Sequence, residues 1–300
     1  MSVFTKKASD TAAKNKYVKR SKAQEIWHQF KKNKGAVVGL VLLIIILVVA
    51  FAAGFIYDFK SDICMLSRNG RLLPPSLQHP FGTDHMGRSV MARVLYGARY
   101  SLLIGFVVVS VSTGLGTLLG ALAGYYGGKT ETFIMRAVEI FLMIPNILLG
   151  IIFVAAFGIS LTNLMVALGL STVPHFARTG RSSVMTVRGN EYVEAAKALG
   201  VSDFKIIFKH ILPNALSPIL VQATTRVASA IISAATFSFL GLSVPSPLPE
   251  WGAMLSDARP YMREYPHLII FPGLAIMLTV LAINLVGDGL RDALDPKLKR

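Results

Sequence analysis

The sequence predicts an all-α membrane protein with six transmembrane helices, on three observations. The chain of 300 residues is 53% hydrophobic and only 16% charged, where a soluble domain carries about a quarter charged residues. Its mean hydropathy is +0.56. The apolar residues gather in runs long enough to cross the ~30 Å hydrocarbon layer, and the basic residues gather at the edges of those runs. That placement ties the net charge of +15 to membrane topology. Nucleic acid, the first partner to weigh for a basic soluble protein, is not expected.

Taken in order, residues 1–34 form a basic tail with ten Lys/Arg against Asp10 and Glu25. Residues 1–20 read as disordered. Residues 21–34 are expected to form a short interfacial helix, with Ile26, Trp27 and Phe30 toward lipid and lysines toward headgroups. Gly35–Tyr57 has no charge and as a helix is about 34 Å long, enough to span. It begins too late and runs too long for a signal-peptide core, so it should remain as an anchor. Ser101–Tyr126 is the second span. Gly105, Ser110, Ser112, Gly114, Gly116, Gly120 and Gly124 fit it for close helix packing inside a bundle. Ile140–His175 is uncharged but too long for one span, and Gly158, Ser160 and Asn163 mark a tight turn within it. The third span is therefore placed near 132–157 and the fourth near 161–177. Asn214–Leu242 is the fifth, carrying Arg226, and His267–Val286 the sixth.

Six spans put both ends on one side, and the basic tail places that side in the cytoplasm. The loop 178–212, with six Lys/Arg against three acids, then lies inside, as does the tail 291–300. The external segment 58–100 also has six Lys/Arg against three acids, a partial exception to the positive-inside rule. These assignments leave 101–290 as a five-helix core around the loop. There is no internal repeat. Cys64 is the single cysteine, so no intrachain disulfide forms.

Within the loop, NEYVEAAKALG (190–200) reads as a short helix. Asn190 is a good N-cap, Glu191 and Glu194 sit near the positive end of the helix dipole, and Gly200 is placed to end it. Three alanines make it slim, and Tyr192, Val193 and Leu199 offer apolar grip. Ser202 or Asp203 caps a second short helix, FKIIFKHIL, which Pro213 either stops or joins to the fifth span.

The run EAAKALG followed by HILP resembles the EAA motif of ABC-importer permeases, with matches at Glu194, Ala195, Ala196, Gly200, Leu212 and Pro213. His210 stands where many families have Ile, and the histidine form resembles the oligopeptide/dipeptide/nickel subfamily. HPFGTDHMGRSVMARVLYGARYSL (79–102) and SFLGLSVPSPLPEWGAML (238–255) resemble two further segments of that subfamily's C-type permease. One departure is Ser89, where Asp is common. The likeness covers residues 20–300 and implies a type I importer permease bundle. It also implies partners: a second related permease, two ATPases that bind the ATP, an extracellular solute-binding protein, and a peptide-like substrate. The coupling role falls on Glu191, Glu194, Ala195, Ala196 and Gly200 in the helix and on His210, Leu212 and Pro213 beyond it. Dipeptides, oligopeptides, glutathione and nickel chelates are all handled by such permeases.

The other motifs carry less. AGYYGGKT (123–130) lacks the first glycine of a phosphate loop and follows a membrane helix rather than a strand, so ATP is expected on another chain. No cofactor, metal or catalytic residue is expected in this one. A central charge in a span is costly in lipid. Arg226 therefore either lines the translocation path and attracts a substrate carboxylate, or pairs with Glu139 or another helix. Arg136 and Glu139, and Asp84 and Arg88, are spaced as local pairs. Trp251 reads as an interfacial anchor. The rival readings, a stand-alone secondary transporter or channel and an intramembrane enzyme, lack paired repeats with ion ligands and a catalytic set respectively.

Overall fold

A computed structural model describes residues 21–67, 70–242 and 246–295. The expected disorder over 1–20 and the last five residues of the C-terminal tail lie outside the described residues. Ten helices are used below: α1 Lys22–Lys32, α2 Lys34–Ile56, α3 Val90–Tyr126, α4 Gly128–Met143, α5 Asn146–Phe157, α6 Leu161–Arg188, α7 Glu191–Ala198, α8 Asp203–Phe239, α9 Trp251–Ala258 and α10 His267–Leu294. A π-wound turn, Phe59–Cys64, follows α2. No named strand occurs among the described residues, only the isolated bridge between Thr83 and Ser89.

The bundle is built on α3 and α6, which run parallel, residues 112, 116, 120 and 124 meeting 169, 176, 177 and 181 in turn. The glycines expected to allow close approach do so. A β-carbon at Gly116 would lie 2.5 Å from Phe176 Cβ, one at Gly120 would overlap the Ala177 carbonyl oxygen, and one at Gly124 would lie 2.8 Å from the Arg181 carbonyl oxygen. Ser112 adds an interhelical bond, its hydroxyl 2.8 Å from Gly169 O. Ile104, Val108, Leu168, Phe176, Ile219 and Phe237 fill the core where α8 crosses this pair. α10 packs on α8 and α2, and α2 lies on the flank.

Several boundaries differ from the sequence reading. The second helix begins at Val90 rather than Ser101, capped by Ser89, whose hydroxyl accepts from Ala92 N. Its first turns carry Arg93, which is buried. The third span is not one helix. α4 and α5 meet at 89°, because Pro145 holds Ile144 in an extended conformation and lacks the N–H that would continue α4. The turn at Gly158 is present, with φ +84° and with Asn163 Nδ2 donating to Phe157 O and Gly158 O. α6 continues past residue 177 to Arg188, and α10 past Val286 to Leu294. α8 starts at Asp203, eleven residues before the expected 214.

By length and apolar composition four helices, α2, α3, α8 and α10, are able to cross a membrane, or five with the bent pair α4–α5. α6 falls short of that test although it has 28 residues. It packs against α3, α4, α5 and α8, and polar side chains turned toward protein rather than lipid are tolerated in a span.

α1 differs from the expected lipid-facing helix. Phe30 is buried against Ala36 and Ala293, with Ile26 beside it, and only Trp27 is exposed. The glycine at 289 makes the room: a β-carbon there would overlap Ala36 Cβ. Asn33 fixes the corner, its side chain accepting from Ala36 N at 3.1 Å and donating to Asp292 Oδ2 at 2.9 Å.

Candidate functional site

Asn190 enters α7 in an extended conformation, and its carbonyl accepts from Val193 and Glu194 N–H. Its side chain makes no capping bond. The end of α7 is a Schellman motif: Gly200 at φ +75° donates to Lys197 O at 2.9 Å, and Val201 donates to Ala196 O at 3.1 Å. Replacing Gly200 with valine should destabilise this end by about 1–2 kcal/mol, the cost of a left-handed conformation for a residue with a β-carbon. Faster hydrogen exchange at the Gly200 and Val201 amides would register it, and unchanged exchange would count against the motif.

The two faces of α7 divide the expected site residues. Val193, fully buried, and Ala196 face the bundle, packing with Ala121, Tyr125, Val184, Ile206 and Ile211. Glu191, Glu194, Ala195 and Gly200 are exposed, as are Tyr192 and Leu199, the latter at 83%. The expected apolar grip is thus split: Val193 fastens α7 to its own chain, and Tyr192 and Leu199 point away.

Three long-range bonds that sequence reasoning missed hold this platform. Tyr125 OH donates to Asp203 Oδ1 at 2.6 Å, Lys197 Nζ lies 5.0 Å over the Tyr125 ring, and Arg188 Nη1 donates to Gly124 O at 2.7 Å. His210, Leu212 and Pro213 lie in the joint to α8. There is no second short helix that stops. Ile206–Ile211 is π-wound and runs straight on, with Leu212 N donating to Ile207 O. The wider turn accommodates Pro213, which sits in the first turn of the α-helical part. On the outer side of this joint Phe204 and Phe208 are exposed, with ring centroids 4.5 Å apart.

Beside α7 a cleft of about 780 Å³ opens between α6, α8 and α10. Its wall is rich in hydroxyl and amide groups: Thr179, Ser182 and Thr186, then Ser217, Gln222 and Thr225. Gln222 Oε1 is buried with no hydrogen-bond partner among the described residues. Arg226, next along α8, is half-buried and makes no ion pair among the described residues. His175 is within electrostatic reach of both Arg226 and Arg178. Glu139, one expected partner of Arg226, pairs instead with Arg136 at 2.9 Å.

At the opposite face a buried polar cluster holds the loop before α9. Asp84 and Arg88 form the expected local pair at 2.6 Å. Arg93 Nη1 donates to Ile63 O and Pro247 O, each at 3.2 Å. Glu250 is almost wholly buried and accepts from Ser101 Oγ, Ser238 Oγ, Gly252 N and Ala253 N. Trp251 is not an interfacial anchor: it is buried, with its indole N–H on Val94 O at 2.9 Å.

Comparison with known proteins adds a history to this geometry. The family model described as "Binding-protein-dependent transport system inner membrane component" matches residues 116–300, and "N-terminal TM domain of oligopeptide transport permease C" matches 21–75. The dipeptide transport system permease protein DppC of Alkalihalophilus pseudofirmus is 44% identical over 297 residues, covering 99% of this chain and 97% of that one. The glutathione transport system permease protein GsiD of Pectobacterium atrosepticum is 43% identical over 284 residues, 93% of each. Among solved structures, inward-facing MetNI methionine ABC transporter aligns with TM-score 0.57 at 20% identity, over 69% of this chain and 98% of that one.

Proposed function

Because this chain belongs to the binding-protein-dependent transport system inner membrane components, as a C-type permease of the peptide class, we propose that it forms half of the path of an ATP-driven dipeptide importer. The observation that carries the coupling assignment is α7. It is a short helix fastened to the bundle through Val193 and Ala196, while Glu191, Glu194, Tyr192 and Leu199 face outward. A surface fixed on one side and free on the other suits transmission of motion from a bound subunit. On this reading two ATPase subunits bind the ATP and dock on α7 and the neighbouring Phe204 and Phe208. A second, homologous permease completes the path, and an extracellular solute-binding protein delivers cargo at the opposite face. Both chain ends then lie in the cytoplasm, and the protein lies in the plasma membrane of a prokaryote.

The polar cleft and Arg226 supply the path. Dipeptides carry a free carboxylate, and an arginine without an acidic partner has its charge available for one. Glutathione import is the second reading, favoured by the relatives described as glutathione permeases. It shares the carboxylate chemistry.

The first test is a gentle detergent pull-down of the tagged chain from its native membrane, followed by mass spectrometry. Recovery of a second permease with two P-loop ATPases supports the importer. Recovery of the chain alone, from a complex shown to survive the detergent, refutes it and favours a stand-alone transporter. Uptake of labelled dipeptide, competed by dipeptide or glutathione, then separates the two cargoes. Arg226→Ala should lower uptake of anionic cargo about tenfold, the loss of one charge-assisted contact, with thermal stability unchanged. Unchanged uptake with a lower melting temperature would instead place Arg226 in helix packing.

A further inference from the structure

A groove of about 520 Å³ opens on the flank of the bundle between α2 and α3. Leu47 and Phe51 of α2 and Leu103 and Phe106 of α3 form exposed rims, and Val227 and Ile283 line it from α8 and α10. The lining is hydrocarbon apart from Thr224 and Arg99. Thr224 makes no demand on a ligand, because its hydroxyl donates to Val221 O at 2.8 Å.

Arg99 is different. It is exposed and has no carboxylate partner among the described residues. Its guanidinium lies 5.3 Å from the Tyr96 ring and against Gly54, where a β-carbon would overlap it. The absence of a side chain at 54 thus lets the cation lie flat on α2 at the rim. The groove's other end is at Leu43. From residue 54 to residue 43 the helix rises about 16 Å, roughly half the ~30 Å hydrocarbon layer. α2 starts beside the end of α10, which shares a cleft with Val187, a packing partner of Val193 in α7, so Arg99 lies toward the opposite surface.

A one-leaflet-deep apolar groove, open sideways, with a single cation at its surface end matches one class of molecule. We propose that it holds a phospholipid of the leaflet opposite α7, with the phosphate on Arg99 and an acyl chain laid along α2 and α3. A free anion would leave the hydrocarbon walls unfilled, and a chain without phosphate would leave the cation unpaired. The bound chain would join α2 to the bundle core along the side where the protein itself leaves a gap. This inference does not depend on the cargo or on the ATPase partners.

The test uses the full chain in the complex it purifies with, native mass spectrometry, and two probes: dioleoyl phosphatidylglycerol and dioleoyl glycerol. One phosphatidylglycerol is expected to survive collisional activation that strips the rest. Its retention should fall about tenfold in Arg99→Gln and recover in Arg99→Lys. Leu103→Trp, which fills the groove and leaves the charge alone, should lose it too and reads the site even where the arginine variant folds poorly. Dioleoyl glycerol should not be retained, and inorganic phosphate should not displace the lipid. Equal retention by Arg99→Gln overturns the proposal, as does equal retention of dioleoyl glycerol or displacement by phosphate. A disulfide between Leu103→Cys and a neighbouring permease in native membranes would show a protein occupant and also overturn it.

Discussion

Glu194→Lys is expected to reduce uptake by at least about tenfold while leaving the chain folded and in the membrane. Glu194 is exposed in the first turn of α7, and nothing in the bundle packs on it. Its interaction with the helix dipole is worth about 0.3–1 kcal/mol, too little to unfold anything. A reversed charge on a docking surface acts differently, since like charges brought together across an interface cost several kcal/mol, and about 1.4 kcal/mol already changes an equilibrium tenfold. Three readouts separate the cases: uptake, recovery of the ATPases in a pull-down, and melting temperature. Lost uptake with an unchanged melt supports α7 as the coupling element. Normal uptake by a well-expressed Glu194→Lys chain would sink the assignment.

Gly120→Val should be strongly damaging to the bundle. A β-carbon there would overlap Ala177 O and come within 2.6 Å of Arg181 N. Both are backbone atoms of α6, so no rotamer change relieves the clash and the two central helices must separate. Overpacking a core typically costs about 1–3 kcal/mol and more when backbone must move. The loss of close contact along α6 places this case at the upper end. The control is on the same helix. Gly114 has nothing within 4 Å of its added β-carbon, so Gly114→Val should change stability only through helix propensity, by no more than about 0.5 kcal/mol and in the favourable direction. Thermal unfolding of both variants in detergent decides the matter. Equal melting temperatures would mean that the α3–α6 contact is not what orders the bundle.

This pair of glycines shows what was legible in the sequence. The small-residue face of α3 was readable because residues 116, 120 and 124 recur every four positions, one above the other. The same list contained Gly114, and composition alone does not distinguish it. Hydropathy did not show that the second helix runs on before the expected span, back to Val90. Arg93 is satisfied by carbonyl groups at Ile63 and Pro247, the second of them more than 150 residues away, and no local pattern announces that. Pro145 did carry a local signal, but the apolar run continues through it and hydropathy outweighed it. At the site, Gly200 and the extent of α7 followed from capping rules. The direction each residue faces did not, because Val193 is turned inward by partners on α3, α6 and α8. The Tyr125–Asp203 bond likewise joins segments 78 positions apart.

The corner formed by Asn33 and Asp292 has a topological corollary. These two residues bracket all the long helices, and their side chains are 2.9 Å apart. A chain that leaves a surface and returns to it has crossed an even number of times. Composition permits four crossings or five, and parity removes five. If the bent pair α4–α5 carries the chain across once, α6 must carry it back, whatever its polarity. On that path the crossings are α2, α3, α4–α5, α6, α8 and α10, six in all, and if the bent pair dips in and returns they are four.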